Sequence, residues 1–332
     1  MISSRQRALV EFLLDNLVWI MLAIVLAVFS LTIPNYFQIG IFVNIIEQST
    51  FVGVMAIGLA IVVIAGNMDL SIESTMALSA MITGILFASH GIGIGFTTTP
   101  AWLVLPLSLG IAVAVGAVIG ALNAWLVVKV RMNAFIVTLA AFIWVRGLVV
   151  AISGGRSAQD LAPEIRFMAI EPFLYIPLIA WVAIICFVIF TFIMRKTPFG
   201  RHITMIGGNA VATFRAGIRV DRLVAISFVL AGAISGLAGW LLAIRTSGAT
   251  ANLGVGMLFN AFAAVVIGGV SLKGGIGQLP GVYAGVLLIY SIHTAINLMG
   301  LPAHYTQMIL GGMVLAAVLL DTAKLQIRQK LA

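Results

Sequence analysis

The chain has 332 residues, of which 62% are of hydrophobic type and only 8% are charged. A soluble protein carries about 25% charged residues, so this composition excludes a soluble globular enzyme. About 206 apolar residues, at about 20 for each bilayer span, predict roughly ten transmembrane helices. The apolar residues run in long blocks rather than in the alternating pattern of a membrane barrel, which predicts an all-α polytopic protein.

Ten apolar blocks follow one another along the chain and define the predicted spans. They cover residues 17–33, 42–65, 75–89, 102–128, 135–152, 174–194, 223–244, 258–272, 279–298 and 305–320. The third and eighth blocks are short and interrupted by glycine, which indicates partial or re-entrant helices. Cys186, the single cysteine, lies in the sixth block. It can build neither a disulfide framework nor a cysteine metal site, and we interpret it as a buried hydrophobic residue.

Basic residues are distributed unequally between the two predicted sides of the membrane. With the N-terminus inside, 14 of the 18 Lys and Arg lie in inside loops, 3 lie in outside loops, and Arg146 lies within a span. This bias predicts cytoplasmic N- and C-termini and explains the basic charge without nucleic acid. The second to fifth spans then run opposite to the seventh to tenth, as expected of two inverted-topology halves. We treat residues 1–332 as one transmembrane domain.

The segment between the second and third spans, residues 66–74, is polar within an apolar chain. Asp69 or Ser71 could cap the third helix, and Glu73 would lie in its first turn, where the helix dipole favours a negative charge. Two further hypotheses stay open for these side chains. One is direct contact with a transported solute, and the other is a proton relay of the kind that carboxylates form at membrane boundaries.

Several polar side chains fall inside the predicted spans. Arg146 is costly there, so it is either a functional residue or a structural arginine that snorkels outward or locks the fold. The others either hydrogen-bond a hydroxylated solute or join neighbouring helices. They are Asn44, Glu47, Gln48, Asn123, Asn260 and Asn297.

The inside loop at about 195–222, here called the coupling loop, combines basic charge with an amphipathic pattern. Its six basic residues against the one acid Asp221 would suit an inner membrane surface. Its glycine-punctuated segment favours docking of a partner protein. The apolar residues of that segment are Phe199, Ile203, Ile206, Phe214 and Ile218.

The outside loop at about 153–172 carries charges of both signs, which suits a transient docking surface. The residues that we assign to docking are Arg156, Asp160, Glu164 and Arg166.

A glycine-rich stretch at 268–277 permits close helix approach or a backbone turn. Glycine-rich loops also cradle phosphate, but the chain has no Gly-x-x-x-x-Gly-Lys-Ser/Thr run, so we expect no ATP site in it. The four histidines lack metal-binding spacing, and no Gly-x-Ser-x-Gly elbow occurs. We therefore expect neither a metal site nor hydrolase chemistry.

Four motifs in order resemble those of the membrane permeases of bacterial ABC importers of the ribose, xylose, arabinose and galactose type. Residues 66–74 resemble the signature Gly-Gly-Ile-Asp-Leu-Ser-Val-Gly-Ser, except that Asn67 and Glu73 replace two glycines. Residues 135–139 with Arg146-Gly147-Leu148 resemble a Phe-Ile-x-Thr-Leu and Arg-Gly pair, and residues 268–277 resemble a Gly-Gly-x-Ser and Gly-Gly-x-Gly element. The resemblance covers residues 42–321.

The remaining motif, third in chain order, implies that the coupling loop contacts a separate ATPase. The matching residues are Thr197, Phe199, Gly200, Arg201, Gly207, Gly208, Asn209 and Gly217. Other polar residues become candidates for the translocation pathway or its gating. They are Asp69, Ser71, Glu73, Asn44, Glu47, Asn123 and Arg146.

The resemblance implies the ABC importer permease fold, without a catalytic site, in the bacterial inner membrane. Such a subunit moves a monosaccharide or polyol from periplasm to cytoplasm by alternating access. The implied partners are a second permease, identical or closely related, two ATPase domains that bind ATP and Mg²⁺, and a periplasmic sugar-binding protein, besides membrane lipid. This chain would hold no cofactor of its own and no nucleic acid.

Two alternatives remain at the level of the sequence. One is a related ABC permease for branched-chain amino acids or another small solute. The other is a proton-coupled secondary transporter, in which Asp69, Glu73, Glu47 and Arg146 would form the relay.

Overall fold

The computed structural model describes residues 16–95 and 99–302 and scattered helical positions between 304 and 319. The helices, numbered in chain order, are α1 (Leu17–Thr32), α2 (Ile39–Ile64), α3 (Ile72–Phe87), α4 (Ala101–Ala124, continued by a π-helical turn at Trp125–Lys129), α5 (Ala134–Ser153), α6 (Pro163–Ile170), α7 (Leu178–Lys196), α8 (Pro198–Gly208), α9 (Ala210–Arg215), α10 (Val220–Arg245), α11 (Met257–Ile267) and α12 (Leu279–Leu298).

Short strands join some of the loops. They are β1 (Ala88–Gly91), β2 (Ala158–Leu161), β3 (Pro172–Phe173), β4 (Ile176–Pro177) and β5 (Gly248–Ala249). Strands β1, β2 and β5 form an antiparallel sheet with β2 in the middle, and β3 pairs with β4 in a hairpin. We call the end of the helical bundle that carries the three-stranded sheet the sheet end.

The helical, polytopic fold predicted from the composition is confirmed. Each of the first nine predicted spans contains a helix, whereas the tenth, at 305–320, is only partly described, and the two predicted cytoplasmic termini lie outside the described residues. Six described helices are long and apolar enough to cross a bilayer: α2, α4 with its π-helical turn, α5, α7, α10 and α12. Helices α1, α3 and α11 are apolar but shorter.

The predicted eighth span contains a particularly short helix. Helix α11 has 11 residues. At 1.5 Å per residue it extends about 16 Å, which is about half of a 30 Å hydrocarbon core. The preceding residues 251–256 form turns rather than helix, so the segment 250–267 is interrupted, as its glycines indicate.

Several predicted boundaries differ from those observed: α11, for example, ends at Ile267 rather than at residue 272, and two further boundaries differ because the chain forms strands there. The third block was expected to run to residue 89, but α3 ends at Phe87 and the chain continues into β1. The sixth block was expected to begin at residue 174, but Leu174 and Tyr175 have positive φ values in the turn of the β3–β4 hairpin, and α7 begins at Leu178. Hydropathy cannot detect the first change because β1 pairs with the distant strand β2, nor the second because the hairpin turn is formed by the apolar residues Leu174 and Tyr175.

Helix α10 packs against α2, α3 and α4 and forms the centre of the bundle. Its approach to α4 depends on glycine at both surfaces. A Cβ on Gly116 would lie 2.1 Å from the carbonyl oxygen of Gly232, and a Cβ on Gly232 would lie 2.2 Å from that of Gly116. Small residues let the two backbones touch, and such packing replaces the hydrophobic effect as a source of helix association in lipid.

Substitution of Gly116 by isoleucine is expected to destabilise the helix pair. The new side chain would enter the α10 backbone, and overpacking of this kind costs about 1–3 kcal/mol or more. Thermal unfolding of the purified protein in detergent measures the effect. Gly110→Ile provides the matched control, because a Cβ at Gly110 in the same helix meets nothing within 4 Å. Equal midpoints for the two variants would contradict the close approach.

Candidate functional site

The loop between α2 and α3 is held by hydrogen bonds that begin at Asp69. Its Oδ1 accepts from the backbone N–H of Ser71 at 2.9 Å and from the Ser71 hydroxyl at 2.6 Å. That hydroxyl also accepts from Nδ2 of Asn123 in α4 at 2.8 Å. All three side chains are buried, so the structure brings three of the predicted pathway residues into one cluster.

The prediction that Ser71 caps α3 with its side chain is wrong. Ser71 occupies the N-cap position but makes no side-chain cap hydrogen bond, because its hydroxyl is engaged by Asp69 and Asn123. Asp69 bonds to the residue ahead of the helix rather than to its first turn. Asn123 is 52 residues away in sequence, so the local pattern does not reveal this competition.

Asp69 lies in the loop, outside the membrane-spanning helices, and is enclosed by protein. Burial raises the pKa of its carboxyl to about 6, and hydrogen bonds from Ser71 oppose part of this rise. Within the described part of the chain, Oδ2 of Asp69 and Oδ1 of Asn123 have no hydrogen-bond partner. The cluster therefore has two buried acceptor atoms that a proton, a water or a hydroxyl group would satisfy.

The loop is also attached to α5, which carries the second resembled motif. The hydroxyl of Thr138 donates to the carbonyl of Met68 at 3.2 Å and to the carbonyl of Ala134 at 2.9 Å. Thr138 was part of the quoted motif but not among the predicted site residues. The sequence signal that points to Thr138 as a site residue is its position one turn into α5.

Glu73 lies in the first turn of α3, as predicted, but its carboxylate serves a different helix. Oε1 lies 2.9 Å from Nη2 of Arg146 in α5. Oε2 accepts from the backbone N–H groups of Gly256 at 3.0 Å and Leu258 at 2.9 Å, which open α11. The side chains of Glu73 and Arg146 are only 2% and 18% exposed. The carboxylate therefore joins α3, α5 and the interrupted eighth segment.

Arg146 points into the protein, so the outward-snorkelling interpretation is wrong. Besides Glu73, it binds the loop that precedes α11. Nη1 donates to the carbonyl of Ala251 at 3.2 Å and to that of Leu253 at 3.0 Å. A buried arginine needs such partners because an unpaired charge is expensive in a region without water.

The remaining predicted pathway residues lie on α2, away from these clusters in sequence. The Asn44 side-chain oxygen accepts from Gln48, one turn further along the helix. Glu47 forms an ion pair with Arg245, at the end of α10. In the hypothetical relay, Glu73 and Arg146 bind each other, whereas Asp69 binds Ser71 and Glu47 binds Arg245.

The coupling loop folds into helices α8 and α9, as its amphipathic pattern indicates. Ile203 and Ile206 are buried against the bundle, whereas Met205, Val211 and Phe214 are exposed. The exposed apolar residues are available to a partner protein, and the buried ones attach the loop to the membrane helices. This arrangement agrees with docking better than with a purely basic surface.

The residues quoted for the coupling motif have distinct structural roles. The Thr197 hydroxyl donates to the carbonyl of Ile193 at 2.7 Å, and Arg201 is exposed. Asn209 lies between the two helices and caps α9, since its Oδ1 accepts from the N–H of Ala212 at 2.9 Å. Phe199 packs against the core, and Gly217 has a φ of +82° after α9.

Glycines from three of the resembled motifs meet at one point, which we call the glycine junction: Gly66, Gly207, Gly274 and Gly275. The N–H of Gly275 donates to the carbonyl of Ile64, at the end of α2, at 2.9 Å. A Cβ on Gly207 would lie 1.9 Å from that carbonyl oxygen and 2.3 Å from the Gly275 nitrogen. A Cβ on Gly274 would lie 2.8 Å from Cα of Gly66. Backbone contact therefore connects the coupling loop to the start of the signature segment.

The predicted docking residues lie on β2, on α6 and in the turn before β2. Oδ1 of Asp160 lies 2.6 Å from Nη1 of Arg166. Oδ2 of the same carboxylate accepts from the Ser89 hydroxyl at 3.0 Å, so the pair is attached to β1. Arg156 is exposed and Glu164 is half-buried. The structure places all four at the sheet end.

Residues 41–318 match the protein family described as "Branched-chain amino acid transport system / permease component". The chain belongs to this permease family. The permease is 31% identical over 315 residues to the ribose import permease protein of Haemophilus influenzae, covering 94% of each chain. It is 34% identical over 301 residues to the L-arabinose ABC transporter permease protein of Azospirillum brasilense, covering 90% of the permease and 84% of that relative.

A third relative is also a ribose import permease protein. The permease is 35% identical over 306 residues to the ribose import permease protein of Bacillus subtilis, with 91% of each chain covered. No solved structure matches the permease. The resemblance to monosaccharide permeases that the four motifs indicate is therefore confirmed, and the permease is a multi-pass membrane protein of a family of transport subunits.

Proposed function

We propose that the permease is the membrane subunit of an ATP-binding-cassette importer that carries a monosaccharide or a polyol from periplasm to cytoplasm. The observation that carries the proposal is similarity along nearly the whole chain to ribose and L-arabinose import permeases. The buried cluster of Asp69, Ser71 and Asn123 is chemically suited to the hydroxyl groups of such solutes, because it has unsatisfied acceptors.

The coupling loop would transmit the ATP-driven conformational change of a separate ATPase to the membrane helices. Its exposed apolar residues offer a contact surface, and the glycine junction connects it rigidly to the signature loop. ATP binding and hydrolysis would change access to the pathway, provided that each nucleotide state binds one conformation more tightly. The permease itself would bind neither ATP nor Mg²⁺.

The proposal includes a location and a set of partners. The sheet end would face the periplasm and meet a sugar-binding protein through the mixed charges around Asp160 and Arg166. The coupling loop and both termini would lie in the cytoplasm, in agreement with the distribution of Lys and Arg. A second permease chain, identical or closely related, and two ATPase domains would complete the importer in the inner membrane.

Branched-chain amino acids are the second candidate substrate, because the matching family is described by them. Uptake by cells that express the permease with its ATPase and binding protein separates the two candidates. Labelled solute should be displaced by pentoses or polyols and not by leucine. Displacement by leucine alone would mean that the transported solute is a branched-chain amino acid.

Affinity purification of the tagged permease from its native membrane in mild detergent tests the assembly. Mass spectrometry should identify an ATPase and a second permease chain in the purified complex, and the ATPase should be lost when the coupling loop is altered. A permease that purifies alone and accumulates solute in proteoliposomes under a proton gradient would refute ATP coupling. That result would favour the secondary transporter.

Gly200→Val is expected to lower transport and substrate-stimulated ATPase activity about tenfold, with normal insertion into the membrane. Gly200 is buried in α8, and a Cβ there would lie 2.0 Å from the carbonyl oxygen of Met194 in α7. The valine must therefore displace α8 from the end of α7, which shifts the docking surface; misplacement by about 1 Å is enough to cost two orders of magnitude in other mechanisms. ATPase activity of the reconstituted importer measures the loss.

Thr204→Val serves as the matched control, because it introduces the same side chain at an exposed position of the same helix that is not assigned to docking. This variant should retain most of the stimulated ATPase activity. If Gly200→Val retained it as well, the proposed role of α8 would be incorrect.

A further inference from the structure

Three hydrogen-bond donors converge on the carboxylate of Glu73. Two are the backbone N–H groups of Gly256 and Leu258, at 3.0 and 2.9 Å, and the third is Nη2 of Arg146, at 2.9 Å. The first N–H groups of a helix lack partners within the helix and carry partial positive charge. The amino end of α11 and Arg146 therefore build a site for a carboxylate, and the chain fills that site with its own side chain.

The same arginine binds the loop that leads into α11. Its Nη1 donates to the carbonyls of Ala251 and Leu253 at 3.2 and 3.0 Å. Residues 250–256 have no helix of their own, so their position depends on contacts with other elements. Removal of the Glu73 carboxylate would weaken the attachment of α11 directly, and that of the preceding loop through Arg146.

The attachment lies well inside the bundle. Glu73 is near the start of α3, and the helix extends 14 more residues to Phe87, where β1 begins. At 1.5 Å per residue this places Glu73 about 21 Å from the sheet end. A buried ion pair at such a depth is expensive unless it is fully hydrogen-bonded, and here it is bonded to three parts of the chain.

We propose that Glu73 is an internal anion that latches the interrupted segment 250–267 to α3 and α5. It acts as a positioning residue through Arg146 and the amino end of α11. Because the anion site is filled from within, a second carboxylate is excluded from it, which suits an uncharged transported solute. That consequence for transport rests on the proposed function, whereas the latch is a property of the permease alone.

Rescue by a small anion tests the filled site directly. Glu73→Ala removes the carboxylate and leaves space at the amino end of α11, so the midpoint of thermal unfolding in detergent should fall. Sodium formate should raise the midpoint of Glu73→Ala in a saturable manner, beyond the effect of sodium chloride at equal ionic strength. The wild type and Glu73→Gln, in which the site is still sterically filled, should respond to both salts alike.

An equal response of Glu73→Ala to formate and chloride would refute the carboxylate site. If this variant does not fold, the Glu73–Arg146 pair can be tested by replacing both charged residues with uncharged glutamine. Glu73→Gln combined with Arg146→Gln should then unfold at a higher temperature than Arg146→Gln alone, because the double variant buries no lone charge. A double variant that is less stable by the sum of the two single losses would overturn the latch.

Thiol labelling tests whether the segment 250–267 is released, as opposed to a general loss of packing. Cys186 is the only cysteine, so Cys186→Ser provides a background without thiols. Leu258→Cys places a buried thiol at the start of α11, and Val224→Cys places one, equally buried, in α10. Addition of Glu73→Ala should increase alkylation of the thiol at 258 about tenfold and leave that at 224 unchanged, as expected of local opening.

Formate should reverse the increase at position 258. Equal acceleration at both positions would mean general loosening, and no acceleration at 258 would mean that Glu73 does not hold the segment; either result contradicts the proposal. These measurements need neither ATPase nor substrate. Their failure would leave the proposed function intact, and failure to copurify an ATPase would leave the latch intact.

Discussion

Gly207→Ala should abolish most substrate-stimulated ATPase activity and lower the stability of the permease by about 2–4 kcal/mol. The added methyl carbon would lie 1.9 Å from the Ile64 carbonyl oxygen, a distance at which the two atoms overlap. The chains at the glycine junction must separate by about 1 Å, which breaks the hydrogen bond from Gly275 to Ile64. Overpacking contributes about 1–3 kcal/mol and the lost hydrogen bond about 1 kcal/mol.

Gly208→Ala is the matched control for this experiment, because a Cβ on the neighbouring glycine meets nothing within 4 Å. Both variants make the same chemical change in the last turn of α8, so helix propensity affects them alike. Thermal unfolding should separate the two clearly. Identical behaviour would mean that the glycine junction does not connect the coupling loop to α2.

Arg146→Gln is expected to destabilise the permease by about 3–5 kcal/mol. The substitution removes the counter-charge of Glu73, whose side chain is 2% exposed, and leaves a buried carboxylate with two backbone donors only. Loss of one partner of a buried pair costs about this much because the other charge stays desolvated. Thermal or denaturant unfolding in detergent measures the change.

Arg131→Gln makes the same substitution in an exposed pair and serves as control. Arg131 binds Asp221 through both oxygens at 3.1 and 2.7 Å, but both side chains are more than half exposed. Exposed pairs contribute about 0–1 kcal/mol. Comparable losses for the two arginines would indicate that burial is not the source of the Arg146 effect.

Helix positions were largely predictable from the sequence because a bilayer demands long apolar segments, and hydropathy detects these directly. The interruption of the eighth span was also visible, since glycine marks it, whereas the third span contains one continuous helix of 16 residues despite its glycine. Strands β1, β2 and β5 were not predicted. Each consists of two to four residues, and each is stabilised by pairing with a segment far away in sequence rather than by a pattern of its own.

The polar sites were predicted only in part, because residue type indicates a charge or a donor but not its partner. Asp69, Ser71 and Asn123 were named separately, and their hydrogen bonds became apparent only in three dimensions. Glu73 and Arg146 were singled out for different reasons, although each balances the charge of the other. The glycine junction is a property of backbones that touch, and a sequence carries no direct record of such contact.

The three-stranded sheet also bears on biosynthesis. Its central strand, β2, can pair with β1 as soon as residue 161 has emerged, but β5 contributes residues 248–249, which follow α10 in the chain. Such non-local pairing forms late, since distant segments must first be brought together. During translation, the surface at this end thus stays open until about three-quarters of the permease has been synthesised. A nascent chain arrested before residue 248 should therefore expose β2 to protease, whereas a longer chain should protect it.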